Sequence, residues 1–391
     1  MLSKKIKLSL NYNQQVVLET LSNEHRMLYN FLLEKVKDKL DFKSINENYK
    51  LFRLNNNLTI NSKSAQNTSI SLINNIKSYL TLKKKDKTAR FPNKFKSHKF
   101  FTSFMLDYNK GCGGFKINNS VLELNLNSCK NKLFIDLPKY VDDINNDNVK
   151  TITFKKEDDN YYLIFVYSEE SKIKKLNKSR FLSIDLGYSS LVTGCSNDLN
   201  IKIDNLKQKK LNKKVSEIQS KRDNYKRGSR KYKKLTKSLN KEKRKLSNKQ
   251  KDFHHKSSKV IIDYCINNDI GNLIVGDLKV KKVINKDNKI INGLSKSTGV
   301  GRFKGFLEYK SKNVGIEFIL VSEYNTSKTN CLTGEIEFNS DVKNREFIFK
   351  DLVIDRDINS CINMLTKSGV CLTQESKKIL LLNKMSKFKI Y

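Results

Sequence analysis

The chain has no tryptophan, only two prolines (Pro92 and Pro138) and no two cysteines spaced as CxxC. Its seven cysteines (Cys112, Cys129, Cys195, Cys265, Cys331, Cys361 and Cys371) are scattered and odd in number. A CxxC metal knuckle is therefore excluded, and free thiols of an intracellular chain are expected. No apolar run reaches the roughly 18 residues of a membrane-spanning helix, so no membrane partner is expected. The opening MLSKKIKLSLNYNQQ lacks a long apolar core and a small-residue cleavage site, so a secretory signal is not expected. Acidic residues are also scarce: 40 Asp+Glu face 77 Lys+Arg, a formal charge of +37 over 391 residues. Such an excess attracts a long polyanion, DNA or RNA, and its self-repulsion favours a monomer.

What is present divides the chain. Residues 1–10 alternate as a strand, and 12–40 carry Val17, Leu18, Leu21, Met27, Leu28, Phe31 and Leu32 at helical spacing. Short helices follow over 44–85, broken by NNNLT and NSKSAQNTS. The stretch RFPNKFKSHKFFTSF (90–104) interleaves basic and aromatic residues, a pattern suited to phosphates and bases, with Lys94 and Lys96 as candidate contacts. Residues 115–168 alternate as several strands that, with the first, are expected to close a small β-barrel. The charged segment 169–179 marks a boundary.

Beyond Arg180, FLSIDLGYSSLVTGCS reads as two strands joined at Gly187. Residues 207–251 hold twenty Lys/Arg against three acidic residues, with apolar residues at heptad-like spacing (Leu211, Val215, Ile218, Tyr225; Tyr232, Leu235, Leu239, Leu246) and a break at Arg227-Gly228-Ser229. An antiparallel helical hairpin with a thin seam is expected. Its candidate phosphate contacts are Lys209, Lys210, Lys213, Lys214, Lys221, Arg222, Arg227, Arg230, Lys234 and Arg244. Helix 260–268, strand 272–280, the loop 291–302, helix 303–315, strand 316–324 and helix 355–365 follow. This alternation implies a mixed sheet covered by helices. The tail beyond Lys367 is basic and carries no clear pattern.

Three acidic residues sit where such a sheet would present them. Asp185 lies in the apolar run Phe181–Gly187, where an ionised carboxylate is costly unless paired or metal-bound. Asp357 opens the last clear helix, where the helix dipole tolerates negative charge, and Asn359 is a candidate to orient it or a ligand. The third position is open between Asp277 and Glu323, each ending a strand. Oxygen-only ligands suit Mg²⁺ or Mn²⁺.

In this order FLSIDLGYSSLVTG, KQKDFHHKSSKVI, NLIVGDLKV, FLEYKSKNVGIEFILVSEYNTSKT and DRDINSCINML resemble the nuclease half of TnpB, the transposon-associated RNA-guided endonuclease related to Fanzor proteins and compact type V CRISPR effectors. The resemblance covers 178–366; the N-terminal half is similar more loosely, through HRMLYNFLLEKV among other features. It implies a mixed α/β and β multidomain fold. A wedge β-barrel would take 1–10 and 110–175, a helical recognition lobe 11–109, and an RNase H-like RuvC domain 178–324 and 355–366, with the basic hairpin at 205–252. Residues 325–354 would form a degenerate zinc-ribbon-like insert and 367–391 a basic tail.

The same resemblance implies Asp185 and Asp357 as the first and last catalytic carboxylates. The family's usual glutamate falls on Gly276, in Gly276-Asp277-Leu278; members with this glycine use a glutamate on the next strand, which is Glu323 here, with Asp277 in reserve. The ribbon's cysteine positions fall on Asn330, Thr333, Phe349 and Leu352, so no structural zinc is expected; Leu332, Ile336, Phe338, Phe347, Phe349 and Leu352 are expected to pack a small core instead. The implied function is an RNA-guided, Mg²⁺-dependent DNA endonuclease with guide RNA and target DNA as partners. The alternative is a nuclease-inactive RNA-guided or plain DNA-binding derivative. The implied location is intracellular: cytoplasm in a bacterium, nucleus or infected-cell compartment otherwise.

Overall fold

The computed structural model describes residues 1–36, 41–108, 114–126, 132–169, 173–187, 190–204, 206–277, 299–336, 345–350, 352–388 and 390, without the side chains of 206–211 and 347. The chain forms two compact units, Met1–Glu169 and Glu170–Tyr391.

In the first unit β1 (Leu2–Lys7) leads to α1 (Tyr12–Val36), α2 (Phe42–Asn55) and α3 (Ser62–Lys85). Then come β2 (Phe104–Asp107), β3 (Phe115–Asn118), β4 (Val121–Asn125), β5 (Lys132–Asp136), β6 (Val149–Glu157) and β7 (Asn160–Tyr167). The strands hydrogen-bond as two sheets, β1-β7-β6-β2 and β3-β4-β5, and not as one closed barrel among the described residues. Alternation drives the packing: Tyr161, Leu163, Phe165 and Tyr167 of β7 are buried while the residues between them are not. One helix assignment differs. NSKSAQNTS, a turn by composition, opens the 24-residue α3, capped by the Asn61 side chain on Lys63 N–H. Its small polar residues serve close packing: Ser64 and Thr68 hydroxyls flank the two nitrogens of buried His25 at 2.8 and 2.6 Å.

The second unit contains β8 (Asn177–Asp185), β9 (Ser190–Ser196), β10 (Asn200–Asp204), α4 (Leu206–Asp223), α5 (Arg230–Asn267), β11 (Ile270–Gly276), α6 (Val300–Val314), β12 (Glu317–Val321), β13 (Glu346–Phe349), β14 (Leu352–Asp355), α7 (Arg356–Lys367), α8 (Gln374–Leu382) and β15 (Met385–Lys387). Six strands make one sheet in the order β12-β11-β8-β9-β10-β15. β8, β11 and β12 run parallel, and β9 is antiparallel to β8. Leu182, Ile184, Leu273 and Val275 face α5 and α6 through Ile261, Cys265, Phe303 and Leu307; Phe181, Ile274 and Val321 lie in the opposite core with Ile358, Cys361 and Ile362 of α7. Burial on both faces explains the near-continuous apolar runs of β8 and β11.

α4 and α5 form the expected hairpin, with Leu239 buried, Val215, Ile218, Leu235 and Leu246 partly covered and Tyr225 exposed. Gly228 takes φ +91 in the connection, a backbone region that penalises a Cβ. α5 is longer than the pattern suggests. Its 38 residues absorb the helix expected at 260–268, because no glycine or proline interrupts 230–267 and Ser229 caps its start. The tail is structured as well. β15 joins the sheet edge in parallel with β10, and the buried Asn200 amide donates to the carbonyls of Leu380 and Asn383. In the 325–354 insert, β13 and β14 pair antiparallel. Leu332 is buried and Phe349 and Leu352 pack beside it, as expected, but Ile336 is 64% exposed. Phe338 and the Phe347 side chain lie outside the described residues, as do Cys112, Cys129 and most of the 291–302 loop.

Candidate active site

The parallel strands fix what can meet. Val275 stands level with Ile184 of β8 and Leu320 of β12, so β8, β11 and β12 end at one edge. Strand alternation then selects the face. Ser183 donates from its hydroxyl to the Cys361 carbonyl of α7 at 2.9 Å, so Asp185, two residues on, also faces α7. Ile274 and Val321 belong to the α7-side core, so Gly276 and Glu323 share that face. Asp277 is one residue out of phase. Its carboxylate takes a 2.5 Å ion pair from Lys304 of α6, on the other face. Asp185 and Glu323 thus converge, and Asp277 is drawn away.

Gly276 makes the convergence possible. A Cβ there would collide with Oε1 of Glu323 and stand 2.6 Å from its Cδ. A side chain at 276 and Glu323 in its present place therefore exclude each other: the two positions offer one volume to one carboxylate. Oε1 is buried without a hydrogen-bond partner among the described residues.

α7 supplies the third acid. Asp355 caps the helix, accepting from the N–H groups of Asp357 and Ile358 at 2.8 and 3.2 Å. This sets Asp357 in the first turn, where the dipole favours it. Ser360, one turn on, hydrogen-bonds the Asp185 carboxylate and lies 2.9 Å from Thr326 Oγ1, whose hydroxyl donates to the Glu323 carbonyl. One helix thus braces both strand ends.

The electrostatics are those of carboxylates lacking enough positive charge. Burial, then the Asp357 charge, pushes the Asp185 pKa up to about 6. Burial, then the Asp185 and Asp277 charges, pushes Glu323 up to about 8. Two cations approach Asp357: Arg345 at 2.9 Å and Arg356 at 3.7 Å. Among the described residues no three acidic, histidine or cysteine side chains close tightly enough to enclose one ion.

Asn359 differs from expectation. It does not face the acids. Its Oδ1 accepts from Cys331 N–H at 2.8 Å and its Nδ2 donates to the Thr329 carbonyl at 2.8 Å, with Asn363 bonding the same turn. Replacement by leucine would strand buried partners. Asn359→Leu is expected to destabilise the protein by about 2–4 kcal/mol in urea unfolding; an unchanged midpoint would contradict this role. Arg345, Lys304 and Ser360 were not singled out by sequence. Only Arg356, adjacent to Asp357, carried a local signal.

Of the basic candidates, Lys213, Lys214, Lys221, Arg227, Arg230, Lys234 and Lys94 are exposed, and Arg222, Arg244 and Lys96 are partly covered. Arg222 is engaged by Asp223 at 2.6 Å and lies over the Tyr232 ring; Lys214 reaches Glu242 at 3.5 Å. The side chains of Lys209 and Lys210 lie outside the described residues. No described helix is long and apolar enough to cross a membrane.

Comparison with known proteins agrees with this layout. Residues 164–281 match the OrfB_IS605 family, described as a probable transposase, and 301–364 match the Cas12f1-like TNB domain. TnpB-like proteins L79 and L770 of Acanthamoeba polyphaga mimivirus are each 28% identical over 230 residues, covering 55% of this chain and 43% of theirs. The match therefore spans under half the length of these curated relatives. The structure of a Cas12f1–sgRNA–target DNA complex shares the fold, with a TM-score of 0.65 at 18% identity over 91% of this chain and 83% of that one. Two family models thus match in tandem, and with these relatives and a shared mixed α/β multidomain fold the chain is similar to TnpB-like proteins and to compact type V effectors.

Proposed function

We propose that the protein is an RNA-guided DNA endonuclease whose RuvC site lies at the end of an RNase H-like sheet formed by β8, β11 and β12. The observation that carries this reading is the Gly276 vacancy filled by Glu323, whose buried oxygen lacks a hydrogen-bond partner among the described residues and lies beside Asp185. A structural carboxylate would be bonded or solvated. The donor set fits a hard divalent cation: Asp185, Glu323 and Asp357 offer only oxygens, and burial, then neighbouring carboxylate charge, raises the pKa values of Asp185 and Glu323. These three would hold Mg²⁺ or Mn²⁺, which supplies water activation and leaving-oxygen stabilisation in phosphodiester hydrolysis.

The chain's own residues do the positioning. Ser360 and Thr326 orient Asp185 and the Glu323 backbone. Near neutral pH it is chiefly Glu323, raised to about 8, that would release a proton when a cation is held. Asp277 stays with Lys304 outside the cluster. The basic hairpin and the 90–104 segment hold phosphates, and guide–target pairing supplies sequence specificity. Charge repulsion favours a monomer. The nuclease-inactive reading draws on Arg345, which occupies Asp357.

The test is purification with RNA from the native locus, then incubation with Mg²⁺ and a plasmid library randomised beside a guide-matched target. Guide-dependent cleavage supports the proposal. Guide-dependent binding with no cutting by the wild type moves the protein to the inactive reading. For the hairpin, Lys213→Gln with Lys221→Gln and Lys234→Gln is expected to flatten the log Kd against log [salt] slope for duplex DNA by up to about 0.9 per phosphate contact. An unchanged slope, read by anisotropy, excludes these residues from the interface.

A further inference from the structure

The 90–104 segment does more than present charge. Residue 96 is clamped to α1 on both sides of its backbone: Lys96 N–H donates to Asn30 Oδ1 at 2.8 Å, and the Asn30 amide donates to the Lys96 carbonyl at 2.9 Å. The Lys96 ammonium lies 3.9 Å from the Tyr29 ring centroid. Lys96 also lines a cleft of about 220 Å³ with Asn67, Thr68, Ser71, Thr102 and Ser103. That is below the roughly 300 Å³ at which pockets for drug-sized ligands begin. Among the described residues this half-buried cation has no carboxylate partner, and burial lowers its pKa. The hydroxyl environment is held in place from behind, because buried His25 bonds Thr68 and stays neutral.

We propose that this cleft is a pre-formed site for a single phosphate group of a nucleic acid, with Lys96 as its cation and the Ser71, Thr102 and Ser103 hydroxyls and the Asn67 amide as neutral donors. It rests on the reading of 90–104 as a nucleic-acid contact and assigns it a discrete pocket. A surface lysine attracts phosphate without geometry, whereas a clamped one beside donors is built for one anion. The phosphate is either internal to a backbone or terminal.

The test uses the full chain stripped of nucleic acid and a labelled 20-nucleotide single-stranded RNA, with 5′-phosphate or 5′-hydroxyl, titrated from low to high KCl. Lys96→Met is expected to weaken binding about tenfold at low salt and to lower the salt slope by about 0.7, one single-strand phosphate. Ser71→Asp, on the exposed rim, is expected to do the same without a fall in melting temperature. Lys96→Arg keeps the charge but replaces a compact ammonium by a planar fork, so it is expected to restore only part of the loss. Equal losses with both RNAs indicate an internal phosphate; losses confined to the 5′-phosphorylated RNA indicate a terminal one. Full activity of Lys96→Arg, or unchanged slopes in Lys96→Met and Ser71→Asp, overturns the pocket. Wild type that binds with this Lys96-dependent slope but cuts no target sinks the nuclease reading alone.

Discussion

Glu323→Ala is expected to lower Mg²⁺-dependent cleavage on the order of 10³-fold while guide and target binding stay within a few-fold, because on the proposed reading several kcal/mol of transition-state stabilisation would depend on the metal it holds. The sharper form is a transplant. A Cβ at 276 points into the volume that the Glu323 carboxylate fills. Gly276→Glu in the Glu323→Ala background should therefore return a carboxylate to the same place and recover about 10- to 100-fold of the loss. Gly276→Ala alone should fold, since the collision is with the far end of a flexible side chain, but should displace Glu323 and lose activity. A Glu323→Ala protein that cuts normally contradicts the assignment, and a double variant no better than the single one removes the shared-volume argument.

The cluster should also make stability depend on pH in an unusual direction. Glu323 is raised from 4.5 to about 8 and Asp185 from 3.8 to about 6. The folded state therefore keeps protons that the unfolded chain has released. Their contribution is complete at acid pH and is lost as pH rises through about 6 for Asp185 and about 8 for Glu323. Buried His25, lowered to about 3, works in the opposite sense, so the readout must be a difference. Glu323→Gln should become more stable than wild type, without metal, by about 2–3 kcal/mol as pH goes from 5 to 8.5. Mg²⁺ should close the gap at pH 8.5 by stabilising the wild type. Urea midpoints at the two pH values measure this; a gap that does not grow, or shrinks, shows that the Glu323 proton is held no more tightly in the fold than outside it.

The candidate site was legible in sequence wherever one strand or one helix start carried the signal. Asp185 stood out because a carboxylate in an apolar run needs a reason, and Asp357 because it begins a helix. The basic hairpin followed from charge density and seam spacing. The choice between Asp277 and Glu323 was not local. It depends on strand phase across three parallel strands and on a lysine of α6, neither visible from the two short motifs. Arg345 reaches Asp357 through the fold of the 345–355 hairpin. The turn-like composition of 61–69 misled because its small polar residues are packing surface for His25 and the β2 backbone. The tail was unreadable because three-residue β15 gains its place from β10 and not from its own pattern. Asn359 was read as a ligand-orienting residue because its neighbours are acidic; its buried side chain instead holds the Thr329–Cys331 turn.

Asp185, Glu323 and Asp357, and not Asp277, are proposed to form the hydrolytic site. The most direct measurement is the Mg²⁺-dependent rate at which the RNA-loaded protein cuts a matched plasmid, compared across Asp185→Asn, Glu323→Gln, Asp357→Asn and Asp277→Asn. Losses on the order of 10³-fold are expected in the first three and a rate within about tenfold of wild type in Asp277→Asn. A wild-type rate in any of the first three, or a loss in Asp277→Asn as large as theirs, contradicts this assignment.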